Sequence, residues 1–399
     1  MPSISPSSPE SVSRGPQDVP ELSVILPCLD EAATIGTCIE QIRRTLVQNR
    51  ISGEIIVADN GSCDDSRDIA NAAGAFVVSV PNRGYGSALM GGIATARGKY
   101  IMMGDADGSY DFSQIPLFLE KLRSGYELVM GNRFQGGIQP GAMPPLHHYF
   151  GNPLLTGIGR LLFKARCRDF HCGLRGFTRE AYDHMHLRTT GMEFASEMIV
   201  KASLFKMRVC EVPTTLSPDG RHRRSHLRSW HDGWRHLRFL LLYSPRWLFF
   251  YPGMALLLAG SATALWLLTS PGRVGPVLLD VHALLYATLA ILAGFQTVLF
   301  AFFTKVFGVT EGLLPEDPRL TRMFRVLNLE KGLLAGGFLL AMGIAVATYP
   351  LYVWNRSGHG LMDPVILVRL LAAVIILITL GVEIICSSFF LSILGITRK

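Results

Sequence analysis

Two carboxylates one residue apart, Asp105 and Asp107, follow the apolar run Tyr100-Ile101-Met102-Met103 and sit in the turn Gly104-Asp105-Ala106-Asp107-Gly108-Ser109. A strand that stops at two acids on a turn offers hard oxygen ligands beside open space. That donor set suits Mg²⁺ or Mn²⁺ completing its shell with phosphate and water. A cation held there could neutralise a departing diphosphate. The same residues also make an ordinary solvated turn, so the spacing alone leaves both readings open.

The flanking elements favour a site. Leu22 to Pro27 reads as a buried strand, and a helical pattern opens at Asp30-Glu31 and runs to about Val47. Glu54 to Ala58 is a second strand, ending at Asp59-Asn60-Gly61-Ser62, with a helix from Asp64 onward. Ala75 to Val80, a helix from about Gly84 to Ala96, and Lys99 to Met103 continue the alternation. Strands alternating with helices imply a mainly parallel sheet, whose ligands bind beyond the carboxyl ends of its strands. Pro27 to Glu31, Asp59 to Ser62 and Asp105 to Ser109 all fall at such ends. The pair Gly84 and Gly86 invites a dinucleotide-fold reading, but the third glycine is missing and no strand-turn-helix of the usual spacing carries an acid about 20 residues on.

Composition divides the 399 residues in two. Up to about residue 245 the chain reads as a soluble α/β unit; beyond it lie long apolar blocks. Seven scattered cysteines without a C-x-x-C pair argue against a disulfide framework and read as small buried hydrophobes. Residues 1–20, rich in Ser and Pro and lacking an apolar core, are expected to be a disordered tail rather than a signal peptide. The net charge of +7 matters less than its placement. Arg221, Arg223, Arg224, Arg228, Arg235 and Arg238 precede the first apolar block with only Asp232 opposing them. Such a block points to anionic lipid rather than nucleic acid, or serves as a positive flank that sets topology.

The expected domains are a tail at 1–20, a catalytic unit at 21–229, a basic juxtamembrane helix at 230–246, and a membrane unit at 247–399. The membrane unit holds four apolar blocks, 247–269, 283–303, 332–354 and 370–394. The first, at 1.5 Å per residue, covers about 34 Å, enough to span the hydrocarbon. Basic residues crowd the ends that share a side with the catalytic unit, including Lys305, Arg319, Arg322, Arg325, Lys331, Arg398 and Lys399; Arg273, Arg356 and Arg369 stand on the other side. This asymmetry predicts a multi-pass membrane protein with the catalytic unit and both termini cytoplasmic. Trp230, Trp234, Leu237 and Leu241 share one helical face, which suits an interfacial helix or packing on the soluble unit. Gln296 and Glu383 fall at equal depth in the second and fourth blocks, and a polar clamp between them is expected. Gly332, Gly336, Gly337 and Gly343 permit association into a homo-oligomer.

Taken together and in order, Leu26-Pro27-Cys28-Leu29-Asp30-Glu31, Val57-Ala58-Asp59-Asn60-Gly61-Ser62, Asp105-Ala106-Asp107 and Gly131-Asn132-Arg133 resemble family 2 glycosyltransferases. The resemblance covers roughly residues 21–245. It is nearest to the polyprenyl-phosphate glycosyltransferases, the subgroup of dolichol-phosphate mannose synthase and the GtrB-type enzymes. It implies an α/β GT-A catalytic domain, Rossmann-like with a mainly parallel sheet, followed here by an all-α four-helix transmembrane domain.

In such a fold Pro27, Leu29 and Glu31 would line the base and ribose, and Asp59 would contact the nucleobase. Asp105 with Ala106 would meet the ribose and metal, and Asp107 would be the main metal ligand. Arg133 would lie near the diphosphate, and Asp169 to Phe177 resembles an acceptor-side loop. Three positions depart from the subgroup's usual pattern: Asp30 stands for Asn, Asn60 for the second Asp, and Ser109 for a metal-associated Gln of mannose-transferring relatives. Met192 to Glu197 opens a helix whose Glu193 and Glu197 share a face, either solvated or aimed at sugar hydroxyls.

The implied reaction is inverting, metal-dependent transfer of one sugar from a nucleotide-sugar donor to a polyprenyl phosphate at the cytoplasmic membrane face. UDP-glucose is favoured over GDP-mannose because of Ser109. Arg221, Arg223 and Arg224, with Ser225, are the candidates for holding the acceptor phosphate, since guanidinium forks match phosphate oxygens. Two rivals remain. A processive polysaccharide synthase would carry Gln-x-x-Arg-Trp, of which Tyr243-Ser244-Pro245-Arg246-Trp247 keeps only the last two residues. A catalytically inactive scaffold or sugar-lipid transporter would have no need of both Asp105 and Asp107.

Overall fold

The computed structural model describes residues 19–220, 229–269, 272–274, 277–315, 329–356 and 363–394. The expected tail at 1–20 and the acceptor candidates Arg221, Arg223, Arg224 and Ser225 therefore lie wholly or almost wholly outside the described residues.

The soluble elements run β1 Leu22–Cys28, α1 Ile35–Gln48, β2 Gly53–Asp59, α2 Ser66–Ala72, β3 Phe76–Ser79, α3 Tyr85–Thr95 and β4 Tyr100–Met103. After them come α4 Ile115–Arg123, β5 Leu128–Asn132, α5 Arg133–Gly136, α6 Asn152–Phe163, β6 Arg175–Thr178, α7 Arg179–Met185, α8 Phe194–Leu204, β7 Val209–Pro213 and α9 Ser229–Leu242. The strands form one sheet in the order β3-β2-β1-β4-β6-β5-β7. β1 pairs parallel with β2 and β4, and β2 with β3. β6 is inserted antiparallel to both β4 and β5, and β5 pairs parallel with β7. The sheet is thus mixed, with parallel pairs dominating.

Burial on both faces explains why β1 and β4 read as apolar runs, broken only by the buried Ser23 of β1. One face packs on α1, whose Ile35, Cys38, Ile39, Ile42 and Leu46 recur at helical spacing and are buried. The register sets Cys28 beside Asp59 and Ile25 beside Met103, so the carboxyl ends of β1, β2 and β4 lie together.

By contact density the chain divides into two compact units, one comprising residues 1–156, 166–202 and 206–232, the other 157–165, 203–205 and 233–399. In the second, four helices are long and apolar enough to cross a membrane, at 246–267, 281–310, 329–356 and 365–394. The last three extend beyond the apolar blocks at one end or both. The first and second meet through glycine: a Cβ on Gly294 would stand 2.5 Å from Leu257 N. The third and fourth do the same, with Gly336 and Gly381 each facing the other's carbonyl oxygen. The second and fourth run side by side in one direction, Asp280 bonding Arg369 at 2.9 Å and Phe303 meeting Phe390 at 4.8 Å.

Three expectations need correction here. Gln296 and Glu383 do not bond. Gly294 seats against the first helix, and Gln296, two residues and so roughly 200° further round, is exposed. Glu383 keeps a buried Oε2 without a hydrogen-bond partner. Secondly, Gly332, Gly336 and Gly343 are occupied within the chain by Ser388, Ile385 with Gly381, and Ile378; only Gly337 of that set meets open space. Thirdly, the face through Trp234 is not uniformly covered: Trp234 is exposed, Leu237 and Leu241 are half-buried, and among the described side chains of α9 the buried ones are Phe239 and Leu240.

Candidate active site

β4 ends at Met103, and Gly104 N donates to Ile25 O at 3.2 Å, carrying the ladder one residue further before the chain turns. In the turn, Ser109 donates to Asp107 Oδ1 twice, from N at 3.0 Å and from Oγ at 2.6 Å. Ser109 therefore takes a supporting position behind Asp107. Tyr85, at the start of α3, donates its hydroxyl to Asp105 Oδ1 at 2.9 Å. Burial of that hydroxyl and the adjoining carboxylate push the phenol well above its ordinary value, so it remains a donor at neutral pH.

The β1 and β2 turns close on each other and on β4. Asp30 sits at φ 55°, a left-handed conformation that Asn and Asp both adopt more readily than most residues other than glycine. Its N donates to Ser62 Oγ at 2.9 Å and its Oδ1 accepts from Cys63 N at 2.7 Å. Glu31 is buried, its N donating to Ser66 Oγ at 2.7 Å, and Thr34 Oγ1 donates to Ala106 O at 2.7 Å. Asp59, 1 % exposed, accepts from Ser62 N at 3.1 Å and Gly61 N at 3.4 Å and lies 3.7 Å from Arg67. Pro27 and Leu29 are half-buried at the end of β1. Asn60 uses its whole amide, donating to Val80 O and Asn82 O and accepting from Gly84 N. A carboxylate could not donate to those carbonyls, which explains why Asn stands here.

Arg133 follows β5 directly and is buried in a bidentate pair with Asp169, Nε at 2.7 Å and Nη2 at 2.8 Å. The loop that begins at Asp169 is thereby tied to the β5 end. The same loop is held by Arg175, fully buried, whose three nitrogens donate to the carbonyls of Phe170, Cys172 and Ala195.

Glu197 is neither solvated nor aimed at a sugar. It is fully buried, paired with Lys201 at 2.8 Å, and accepts from Arg188 N, Thr189 N and Thr189 Oγ1. Glu193 precedes the helix, which begins at Phe194. The spacing that could have found this pair is Glu197 to Lys201, i to i+4, rather than Glu193 to Glu197. The Tyr85–Asp105 and Asp169–Arg133 pairings carry no local signal, because the partners are 20 and 36 residues apart in sequence.

All seven cysteines are free. Burial pushes the Cys28 thiol up to about 11 and those of Cys38 and Cys172 to about 12, which leaves them inert. Cys63 and Cys386 are exposed, contrary to the expectation that all are buried.

Among the described residues no group of three or more His, Cys, Asp or Glu side chains is placed to hold a metal. That argues against a closed zinc-type site. Two carboxylates on a turn fit a hard cation that draws its remaining ligands from a diphosphate and water.

Two stretches match known families: residues 23–185 match "Glycosyl transferase family 2", and residues 302–395 the "Glycosyltransferase family 2 C-terminal transmembrane region". The low-salt glycan biosynthesis hexosyltransferase Agl6 of Haloferax volcanii is 39 % identical over 378 residues, covering 94 % of this chain and 89 % of that protein. The chain belongs to glycosyltransferase family 2. A dolichyl-phosphate hexose transferase of the same organism is 27 % identical over 48 % of this chain and 81 % of its own length. Among solved structures, a Mycobacterium tuberculosis glucosyl-3-phosphoglycerate synthase in complex with Mn²⁺ and UDP-glucose is similar at 26 % identity. The match covers 56 % of this chain and 78 % of that one, with a TM-score of 0.44.

In this family 2 glycosyltransferase, Pro27, Leu29, Glu31, Asp59, Asp105, Ala106 and Asp107 thus stand at three adjoining strand ends. Arg133 stands at the end of β5, engaged by Asp169.

Proposed function

We propose that this enzyme transfers a single hexose from a nucleotide-sugar to a polyprenyl phosphate at the cytoplasmic face of a membrane, with inversion at the anomeric carbon. One observation carries the reading. Gly220 N donates to Asp107 O at 2.9 Å, so the chain leaves the two-acid turn and enters, in sequence, the arginine-rich segment and then the apolar helices. A donor site and a phosphate-binding segment are adjoining stretches of one chain. The Agl6 and dolichyl-phosphate hexose transferase relatives support the hexose and the lipid phosphate.

The acceptor needs little activation. A phosphate monoester, with a second pKa of about 6, is largely an oxyanion at neutral pH. One of its oxygens attacks the anomeric carbon from the side opposite the leaving group. The bond from that carbon to the diphosphate oxygen breaks, and its electron pair departs with the nucleoside diphosphate. Catalysis then rests on placing the substrates and stabilising the leaving charge. Pro27, Leu29, Glu31 and Asp59 would seat the nucleoside. Arg133 would face the diphosphate while Asp169 fixes its fork, and Arg221, Arg223, Arg224 and Ser225 would hold the acceptor phosphate. Asp105 and Asp107 would hold Mg²⁺ or Mn²⁺, which when bound supplies positive charge to the leaving diphosphate. UDP-glucose is the first donor to try and GDP-mannose the second, because Ser109 spends its hydroxyl on Asp107.

The test is incubation of the purified full-length enzyme and Mg²⁺ or Mn²⁺ with undecaprenyl phosphate and a panel of labelled nucleotide-sugars. A charged, acid-labile glycolipid carrying one sugar is expected. Chelator-insensitive transfer, or no lipid-linked product from any donor, would sink the proposal.

A further inference from the structure

We infer that Tyr85 is a positioning residue for the cation site: its hydroxyl fixes the orientation of the Asp105 carboxylate, one of the two acids that would grip the metal. This rests on the reading of Asp105 and Asp107 given above, and it assigns a role to a residue that the motif pattern leaves aside.

Asp105 is held between two walls. On one side Tyr85 donates to Oδ1 at 2.9 Å. On the other lies Gly173, where a Cβ would fall 2.5 Å from Oδ2, so only glycine lets the loop backbone come so near. Gly173 is itself anchored, its N donating to the Tyr110 hydroxyl at 2.7 Å.

Tyr85 can act as a fixed point because its own backbone is clamped on both flanks. Gly84 N donates to Asn60 Oδ1 at 2.7 Å, linking the start of α3 to the β2 turn. Ser87 N donates to Thr190 O at 3.1 Å, and any Cβ on Gly84 or Gly86 would run into the carbonyl of Thr190 or Thr189. That carbonyl-bearing loop is held in turn by the buried Glu197, which accepts from Arg188 N and Thr189 N. A carboxylate on a turn rotates freely about χ2 unless something stops it, and here a hydroxyl on a braced helix start does so. Groups that orient a ligand without touching the metal commonly change metal affinity by about 10-fold or more when removed.

The experiment is Mn²⁺ binding to the full-length protein in detergent, followed by loss of the free-ion paramagnetic resonance signal, with UDP and in parallel GDP present. Tyr85→Phe should weaken Mn²⁺ binding about 10-fold. In transfer assays it should raise the Mn²⁺ concentration needed for half-maximal rate, with the rate at saturating Mn²⁺ largely restored. On an Asp105→Asn background, Tyr85→Phe should add less than about 2-fold, because the carboxylate it orients is gone.

Wild-type Mn²⁺ affinity in Tyr85→Phe, alongside weakened binding in Asp105→Asn, would overturn the role of Tyr85 alone. Full additivity of the two substitutions would do the same. Unchanged Mn²⁺ binding in both Asp105→Asn and Asp107→Asn would overturn the cation reading itself. If Tyr85→Phe does not fold, Gly173→Ala tests the same carboxylate from its other wall: weakened binding supports the inference, and wild-type affinity defeats it.

Discussion

The sheet edge and the apolar helices handle polar groups in opposite ways. At the sheet edge buried charges are matched: Arg133 with Asp169, Glu197 with Lys201, and Arg175 with three backbone carbonyls. Among the apolar helices contact is made by the absence of side chain, with Gly336 against Gly381 and Gly294 against Leu257. Midway along their helices Gln296 points outward and Glu383 keeps an unbonded Oε2, while the ion pair of Arg369 with Asp280 stands at the helix ends. The lesson is that the two units should fail differently. Where hydrogen-bond geometry sets the fit, deleting one polar group should misplace a neighbour. Where the fit is steric, deleting a polar group should cost little and adding one carbon should cost much.

The largest effects are expected at the sheet edge. Asp107→Asn keeps the shape of the turn and removes its charge, so hexose transfer should fall about 10³-fold while thermal unfolding stays near wild type; retained turnover would remove Asp107 from the cation site. Next is the buried pair. Lys201→Met leaves Glu197 buried without its cation, a loss of about 3–5 kcal/mol, measurable as a lowered unfolding temperature. The pH dependence has a defined sign. Burial alone would raise Glu197, but Lys201 and the Thr189 hydroxyl and N–H outweigh it and hold the carboxyl below its ordinary value of 4.5. A depressed carboxyl stabilises the fold above pH 4.5 and loses that contribution as pH falls through the lower folded value. Unfolding temperatures recorded from pH 7 downward should therefore drop more steeply below 4.5 in wild type than in Glu197→Gln.

Two substitutions of intermediate size compare the units directly. Asn60→Asp strips the donors from Val80 O and Asn82 O, which should cost about 1–3 kcal/mol in unfolding measurements. Gly381→Ala puts a carbon 2.8 Å from Gly336 O, backbone that cannot step aside, and should cost a similar 1–3 kcal/mol. Gly337→Ala, in open space, should stay within about 0.5 kcal/mol. If Gly337→Ala proved as damaging as Gly381→Ala, glycine contact between the third and fourth helices would not be what holds them.

What could be read from the chain beforehand follows the same division. The gathering of the β1, β2 and β4 turns was legible because largely apolar strands alternating with helices leave little choice of topology there. The antiparallel β6 was not: Arg175-Gly176-Phe177-Thr178 has no apolar run, and its central demand is a buried arginine bonded to three backbone carbonyls, the furthest 20 residues away. Asp105 and Asp107 were visible as a pair, whereas the Tyr85 hydroxyl and Asp169 act across folds of the chain that no local spacing encodes. In the apolar half, length and hydropathy gave the helices. Which way each turned depended on glycine contacts, and equal depth alone misassigned Gln296.

That misassignment yields the smallest predicted effect. If Gln296 and Glu383 clamped two helices, Gln296→Leu would leave a buried carboxyl group newly unpaired and lower stability measurably. In the observed packing Gln296 is exposed and Glu383 Oε2 is already without a partner, so the substitution removes no bond. An outward amide replaced by an apolar side chain of similar size should leave the unfolding temperature in detergent unchanged or slightly raised, a shift within about 0.5 kcal/mol. Gln296→Leu therefore isolates the steric rule, because the substitution touches polarity and no contact. A loss above about 1 kcal/mol would mean that the amide has a partner outside the single chain, and hydrogen bonding would then matter in the membrane unit as it does at the sheet edge.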